Sequence, residues 1–211
     1  MTILCEIKPG TVVGVHSKCG SQSVRNHCDA HGIEYPLSIG TVQKLQPTRV
    51  VLVLRHPMLR LLSAYRMFYP RTIVAWQNDR VEWGVGYHDR TVQRSDILKY
   101  ARRNWRSIME DPVRAWCAWL DSEHLQRLVT GTNKEMHVDG YGRHYRNLEK
   151  QLPNVEYAPG LTEMQQRLRI PIRHDHVGPW HWPSLTAEDF VSAAGRVPHL
   201  DADFELWNAY K

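Results

Sequence analysis

The clearest signal of fold class is Val50-Val51-Leu52-Val53-Leu54-Arg55-His56-Pro57, an unbroken apolar run that stops at an arginine and a proline. Five consecutive apolar residues are typical of a central parallel strand that is covered on both faces. Such strands deliver their functional groups at the carboxyl end, where Arg55 stands. Ser63 lies about two turns into the helix that follows, so a cation and a hydroxyl can converge on one anionic group.

A second unit of strand, turn and helix lies upstream of this one. The small apolar strand Thr11-Val12-Val13-Gly14-Val15 runs into His16-Ser17-Lys18-Cys19-Gly20-Ser21-Gln22-Ser23. Backbone N–H groups and a helix N-terminus arranged in this way bind phosphate. The order G-x-x-x-x-G-K-[ST] is absent because Lys18 precedes Gly20, which disfavours an ordinary nucleoside triphosphatase.

Together, the two segments resemble the cofactor motifs of the sulfotransferases that use 3′-phosphoadenosine 5′-phosphosulfate (PAPS). The upstream segment is similar to the 5′-phosphosulfate loop of that family, P-K-x-G-[ST]-[ST]-[STW]. Ser17 stands in place of the usual proline and Gln22 in place of a usual hydroxyl residue. The resemblance implies that this loop binds the 5′ end of the cofactor through Ser17, Lys18, Cys19, Gly20, Ser21, Gln22 and Ser23.

The downstream segment is similar to the 3′-phosphate motif of the same family, in which an arginine ends a strand and a serine follows eight positions later. Arg55 and Ser63 keep that spacing, and the form R-x-P-x-x-R-x-x-S-x-Y is typical of the carbohydrate-directed branches. A third similarity, to the loop R-K-G-x-x-G-x-W-K of the cytosolic branch, implies that Arg173, Gly178 and Trp180 also contact the cofactor. His174 and Asp175 depart from that pattern.

Sulfuryl transfer to a hydroxyl needs charge stabilisation on the leaving oxygen and a group that accepts the proton of the acceptor. Lys18 is the candidate for the leaving oxygen. For the proton acceptor we expect Glu34, then His31, with His88 as a more distant third choice. The resemblance implies that this base lies between the two cofactor motifs or on the substrate side, and the titratable residues between the motifs are His27, Asp29, His31 and Glu34.

Length and composition favour one α/β domain. The chain has 211 residues, of which 42% are hydrophobic, and this content excludes a disordered protein. The alternation of elements predicts a three-layer αβα domain over residues 1–211 with a mainly parallel sheet. The resemblance to the sulfotransferases implies that this domain has a P-loop-like fold. We expect residues 70–95 to form an irregular aromatic insertion. Besides the two strands above, the pattern predicts strands at 33–37 and 155–158 and helices at 21–31, 57–69, 96–109, 112–128, 145–152 and 162–168. The resemblance implies a terminal helix at 200–207.

Several classes of function are disfavoured. No H-E-x-x-H motif or Cys/His grid occurs, so no metal is expected, and a net charge of +5 suits an anionic ligand without demanding nucleic acid. With no signal segment, no membrane-spanning run and four dispersed cysteines, we expect a soluble cytoplasmic enzyme with reduced thiols.

Two alternative functions stay open at this point. One is a nucleotide-dependent kinase with an unusual loop. The other is a basic module that binds polyanions or nucleic acid without catalysis, through Arg94, Arg102, Arg103 and Arg106. The acceptor and the oligomeric state are not determined by these patterns.

Overall fold

The computed structural model describes residues 2–61, 63, 99, 103, 140–173 and 200–211, and it divides the chain into two units. The first unit comprises Met1–Pro57, Gly140–Val177 and His199–Lys211, and all the labelled elements below belong to it. The second unit comprises Met58–Asp139 and Gly178–Pro198. Its described residues, 58–61, 63, 99 and 103, are helical.

The first unit contains a four-stranded sheet of order β1-β2-β3-β4. The edge strand β1 is antiparallel to β2, whereas β2, β3 and β4 run parallel to one another. The sheet is therefore mostly parallel. Its strands are β1 (Thr2–Lys8), β2 (Thr11–His16), β3 (Arg49–Leu54) and β4 (Val155–Pro159).

Five helices with described bounds accompany the sheet, and residues 57–61 and 63 form helix directly after β3. The chain is thus a mixed α/β protein. The helices are α1 (Ser21–His31), α2 (Ile39–Leu45), α3 (Gly142–Gln151), α4 (Leu161–Leu168) and α5 (Asp201–Tyr210).

The described helices lie on both faces of the sheet. Leu4, Gly14, Leu52 and Tyr157 are successive cross-strand partners and therefore share one face. The ring centroid of Tyr157 lies 6.4 Å from that of Tyr145 in α3 and 4.6 Å from that of Tyr210 in α5, so both helices cover this face.

The opposite face carries Cys5, which lies in the same buried core cluster as Cys28 of α1. Leu161 of α4 packs against Gly20, which directly precedes α1. The contact is so close that a Cβ atom added at Gly20 would lie 3.2 Å from Cδ2 of Leu161. Two helices on each face make the described part of the first unit compatible with a three-layer α/β fold.

The two central strands are buried along their length, which explains their continuous apolar sequences. Every residue of β2 is buried, as are Val50 through Leu54 of β3. Gly14 allows neighbouring side chains to approach closely in this core, because a Cβ atom there would collide with Cδ2 of Leu52 and lie 3.0 Å from Cδ2 of Leu4. A larger residue at this position would therefore displace the side chains of Leu52 and Leu4.

The prediction of a strand at residues 33–37 is wrong. This segment is irregular, and its Leu37 N–H donates to the Leu4 carbonyl over 2.8 Å at the edge of the sheet. Pro36 has no N–H group and cannot continue a ladder. The place beside β2 is taken by β1, whose burial of Ile3, Leu4, Cys5 and Ile7 was not recognised in the sequence.

The remaining predictions of secondary structure agree with the described residues. The helix at 21–31, the strand at 155–158 and the helices at 145–152, 162–168 and 200–207 are confirmed, with ends shifted by at most three residues. Helix α2 was missed, although Ser38 caps it by accepting from the Thr41 N–H over 3.0 Å. The aromatic insertion and most of the helices expected at 96–109 and 112–128 lie outside the described residues.

Candidate functional site

Two loops that follow adjacent parallel strands meet at one edge of the sheet. Strand β2 ends at His16 and strand β3 at Leu54, and Arg55 Nη1 donates a hydrogen bond of 2.7 Å to the Lys18 carbonyl oxygen. The two segments predicted to bind an anionic ligand are therefore in direct contact. The carboxyl edge of a parallel sheet is the usual position of ligand sites in α/β folds.

The loop after β2 is a tight turn in a conformation suited to an anion. Cys19 N–H donates to the His16 carbonyl over 3.0 Å, and Lys18 (φ 68°) and Gly20 (φ 101°) are both left-handed. Gly20 then begins α1 without a side-chain cap, and the first turn contains no acidic residue. The partial positive charge at this helix end is thus not offset by a carboxylate of its own first turn.

The side chains of this loop differ in accessibility. Those of Ser17, Cys19 and Ser23 are buried, and those of Lys18 and Ser21 are half-buried. Gln22 is exposed, and its Nε2 donates to Asn26 Oδ1 over 2.8 Å along the helix. Lys18 and Ser21 are therefore the loop residues best placed to meet a ligand with their side chains.

Two tyrosines, Tyr145 of α3 and Tyr141 directly before that helix, form hydrogen bonds to this edge of the sheet. The Tyr145 hydroxyl accepts from the His16 N–H over 2.9 Å and donates to the Val53 carbonyl over 2.9 Å, so it links the ends of β2 and β3. The Tyr141 hydroxyl donates to the Arg55 carbonyl over 2.7 Å. Because Tyr145 is fully buried, desolvation raises its pKa well above the usual value and keeps it a donor.

Sequence reasoning did not single out these tyrosines as part of a site. Their spacing of four residues places them on one helix face, which is the signal that the sequence contained. The sequence does not reveal the hydrogen-bond partners of these tyrosines, which lie 86 to 129 residues away along the chain. Only the packing of α3 under the sheet defines them.

Two histidines lie at the same edge and were also missed. The buried His16 ring has its centroid 6.1 Å from that of His144 in α3, and its Nδ1 lies 3.3 Å from the Ser17 carbonyl. His144 is solvent-accessible, and partial desolvation lowers its pKa below the ordinary histidine value. A neutral imidazole at neutral pH is able to accept a proton.

His144 also lines an open groove of about 350 Å³ on the β1 side of the sheet. The walls of this groove are mostly apolar, with three polar side chains among them. They are formed by Thr2, Leu4, Pro36, Leu37, Ser38, Ile39, His144 and Leu148. The volume is within the range of small-molecule sites.

The structure does not bring the two predicted proton acceptors to Lys18. His31 is the last residue of α1, and ten residues at 1.5 Å each separate it from Ser21 by about 15 Å along the helix axis. Glu34 is exposed in the irregular segment beyond that end. Because α1 returns the chain between two parallel strands, its C-terminus lies away from their carboxyl edge.

The other predicted ligand-binding residues are described in part. Ser63 is half-buried in the helical segment after β3, in the second unit, and Arg173 is exposed after α4. Gly178, Trp180 and His88 lie outside the described residues. Within residues 2–61, 140–173 and 200–211 no group of three or more His, Cys, Asp or Glu side chains is arranged to hold a metal ion.

Comparisons with protein-family models, with curated proteins and with solved structures found no significant match for this chain. Among the described residues, no helix has the length and apolar character required to cross a membrane.

Proposed function

We propose that the protein is a PAPS-dependent sulfotransferase of P-loop-like fold that transfers a sulfuryl group to an acceptor hydroxyl. The observation that carries this proposal is the hydrogen bond between Arg55 Nη1 and the Lys18 carbonyl. It joins the two segments whose sequences resemble the 5′-phosphosulfate loop and the 3′-phosphate motif. A single bound nucleotide with phosphates at both ends of its ribose would span such a pair.

The loop after β2 is suited to the 5′-phosphosulfate. Left-handed Lys18 and Gly20 turn the chain into α1, whose N-terminus favours negative charge. The Lys18 ammonium supplies mobile positive charge for the bridging oxygen, which gains charge as the sulfur departs. A net charge of +5 over the whole sequence favours an anionic cofactor as well.

Arg55 is suited to the 3′-phosphate, which distinguishes this cofactor from ATP. A guanidinium group makes charge-assisted hydrogen bonds to phosphate, and one such bond is stronger than a bond between neutral groups. Ser63, eight residues further on, is the second donor in this proposal. Arg173, Gly178 and Trp180 stay predictions for the same end of the cofactor.

In the proposed reaction, the acceptor oxygen forms a bond to sulfur while the bond from sulfur to the bridging phosphate oxygen breaks. The electron pair of that bond stays on the phosphate, leaving 3′-phosphoadenosine 5′-phosphate as product. The acceptor proton moves to a general base. His144 is better placed for this role than Glu34 or His31, because it lies beside His16 and lines the groove.

Titration calorimetry with 3′-phosphoadenosine 5′-phosphate and with ATP tests the proposal. The bisphosphate should bind more tightly than ATP. Arg55→Ala should weaken it by about thirtyfold, or about 2 kcal/mol, for one charge-assisted contact. Arg49→Ala is the matched control, because Arg49 lies at the opposite end of the same strand, paired with Glu156.

Each other result contradicts the proposal in a defined way. Equal binding of ATP, with phosphate transfer from it, would favour a kinase. Binding of oligonucleotides that weakens steeply with salt and does not compete with the bisphosphate would favour a polyanion-binding module. Unchanged affinity in a folded Arg55→Ala variant would remove Arg55 from the site.

A further inference from the structure

We infer that the groove beside His144 holds the acceptor, and that the acceptor is a small aryl or alkyl alcohol, such as a phenol, with few further polar groups. This inference rests on the proposed function, because it names the acceptor of that reaction. The groove is open and has a volume of about 350 Å³, near the lower end of the range for small-molecule sites. It therefore has room for one small aromatic or aliphatic body and not for an oligosaccharide.

The groove lies at the same edge of the sheet as the proposed cofactor loop. Thr2, which lines the groove, is the cross-strand partner of His16 at the end of β2, and Lys18 follows two residues later. Directly opposed residues of an antiparallel pair place their side chains on the same face of the sheet. The contact of the His16 ring with His144, at 6.1 Å between centroids, brings α3 to that face at this end. An acceptor in the groove thus has its hydroxyl on the side of the loop that carries Lys18.

The walls of the groove favour an acceptor with an apolar body. Leu4 of β1 and Leu148 of α3 are buried, and Leu37 and Ile39, where the chain enters α2, are half-buried. An aromatic ring or an alkyl chain in the groove removes this apolar surface, and its own, from water. This burial is the usual source of affinity in small-molecule sites.

The groove contains three polar side chains among the described residues, and two of them are used or covered by the protein. Ser38 Oγ caps α2 by accepting from the Thr41 N–H over 3.0 Å, and the hydroxyl oxygen of Thr2 is buried. His144 is exposed, so its imidazole is the group that an acceptor hydroxyl meets. Each further hydroxyl of a sugar would lose hydration in the groove without gaining a partner. One hydroxyl on an apolar body matches this arrangement.

The transfer to such an acceptor follows the proposed reaction. The oxygen of the alcohol forms a bond to sulfur while the bond from sulfur to the bridging phosphate oxygen breaks, and that electron pair stays on the phosphate. The proton of the alcohol moves to the lone pair of the neutral His144 ring. The products are an aryl or alkyl sulfate and 3′-phosphoadenosine 5′-phosphate.

Comparison of 2-naphthol with methyl β-glucoside tests the inference, by calorimetry in the presence of the bisphosphate and by turnover with PAPS. The kcat/KM for 2-naphthol should exceed that for the glucoside by about tenfold or more. Ile39→Gln puts an amide on the groove wall and should weaken naphthol binding by about fivefold or more, with bisphosphate affinity unchanged. Leu45→Gln is the matched control and should bind 2-naphthol as the wild type does, because Leu45 ends the same helix outside the groove and is 42% exposed.

The results distinguish a failure of this inference from a failure of the proposed function. If the bisphosphate binds but the glucoside is sulfated in preference to 2-naphthol, the inference is overturned and the sulfotransferase stands. Equal naphthol affinity in Ile39→Gln and Leu45→Gln, both folded by circular dichroism, overturns the inference in the same way. Absence of bisphosphate binding by the wild type would instead overturn the proposed function, and the acceptor role of the groove with it.

Discussion

Replacing Tyr145 with phenylalanine should loosen the carboxyl edge of the sheet without disturbing its core. The change removes one oxygen atom and retains the buried ring. The lost hydroxyl accepts from the His16 N–H and donates to the Val53 carbonyl, each over 2.9 Å. A buried N–H or carbonyl group left without a hydrogen-bond partner lowers the free energy of unfolding by about 1–3 kcal/mol. The carbonyl has two lone pairs, so it contributes less to this loss of stability than the N–H does. We therefore expect Tyr145→Phe to lower the stability of this edge by about 2 kcal/mol in total.

Amide hydrogen exchange followed by NMR measures this effect locally. A local loss of about 2 kcal/mol corresponds to roughly thirtyfold faster exchange of the His16 amide when exchange proceeds by local opening. Tyr157→Phe is the matched control, because its hydroxyl bonds to the Glu149 carboxylate over 3.0 Å and not to this edge. His16 exchange should stay at the wild-type rate in that control. If Tyr145→Phe left His16 exchange and the unfolding midpoint unchanged, the support assigned to Tyr145 would be refuted.

Three further predictions concern the core and the proposed reaction. Gly14→Ala should destabilise the protein by about 1–3 kcal/mol in urea denaturation, because the added methyl group collides with Leu52. Lys18→Ala should lower kcat with PAPS more than it raises the dissociation constant of the bisphosphate product. Lys8→Ala is the control and should change neither quantity, because the Lys8 ammonium donates to the Leu168 carbonyl, away from the loop. His144→Asn should reduce kcat about a hundredfold, because it removes the proposed proton acceptor. In the wild type, kcat should decline only below about pH 6.5, because the pKa of His144 lies below the ordinary histidine value.

Local sequence predicted those elements whose cause is local. The apolar run of β3 is long enough to identify a buried strand, and it is indeed paired on both sides. Helix α1 begins after Gly20 and ends before Gly32, both of which are left-handed, so its bounds coincide with the glycines that the sequence displays. For such elements the physical cause lies within a few residues.

Elements whose identity depends on a distant partner were predicted less well. Residues 33–37 are sufficiently apolar for a strand, yet a strand exists only where a neighbouring strand accepts it. The edge of β2 is occupied by β1, through an antiparallel pairing from Thr2 with His16 to Lys8 with Thr11. No pattern within residues 33–37 contains that competition.

The candidate site divides in the same way. The two loops predicted to bind an anion could be located in the sequence, because Lys18 and Arg55 each follow closely on a strand that is recognisable from its own residues. The contact between these loops, the link that Tyr145 makes between the two strand ends and the position of His144 beside His16 become visible in the folded chain alone. The physical reason is that hydrogen bonds join groups by distance in space, and the packing of α3 against the sheet brings together groups more than eighty residues apart in the chain.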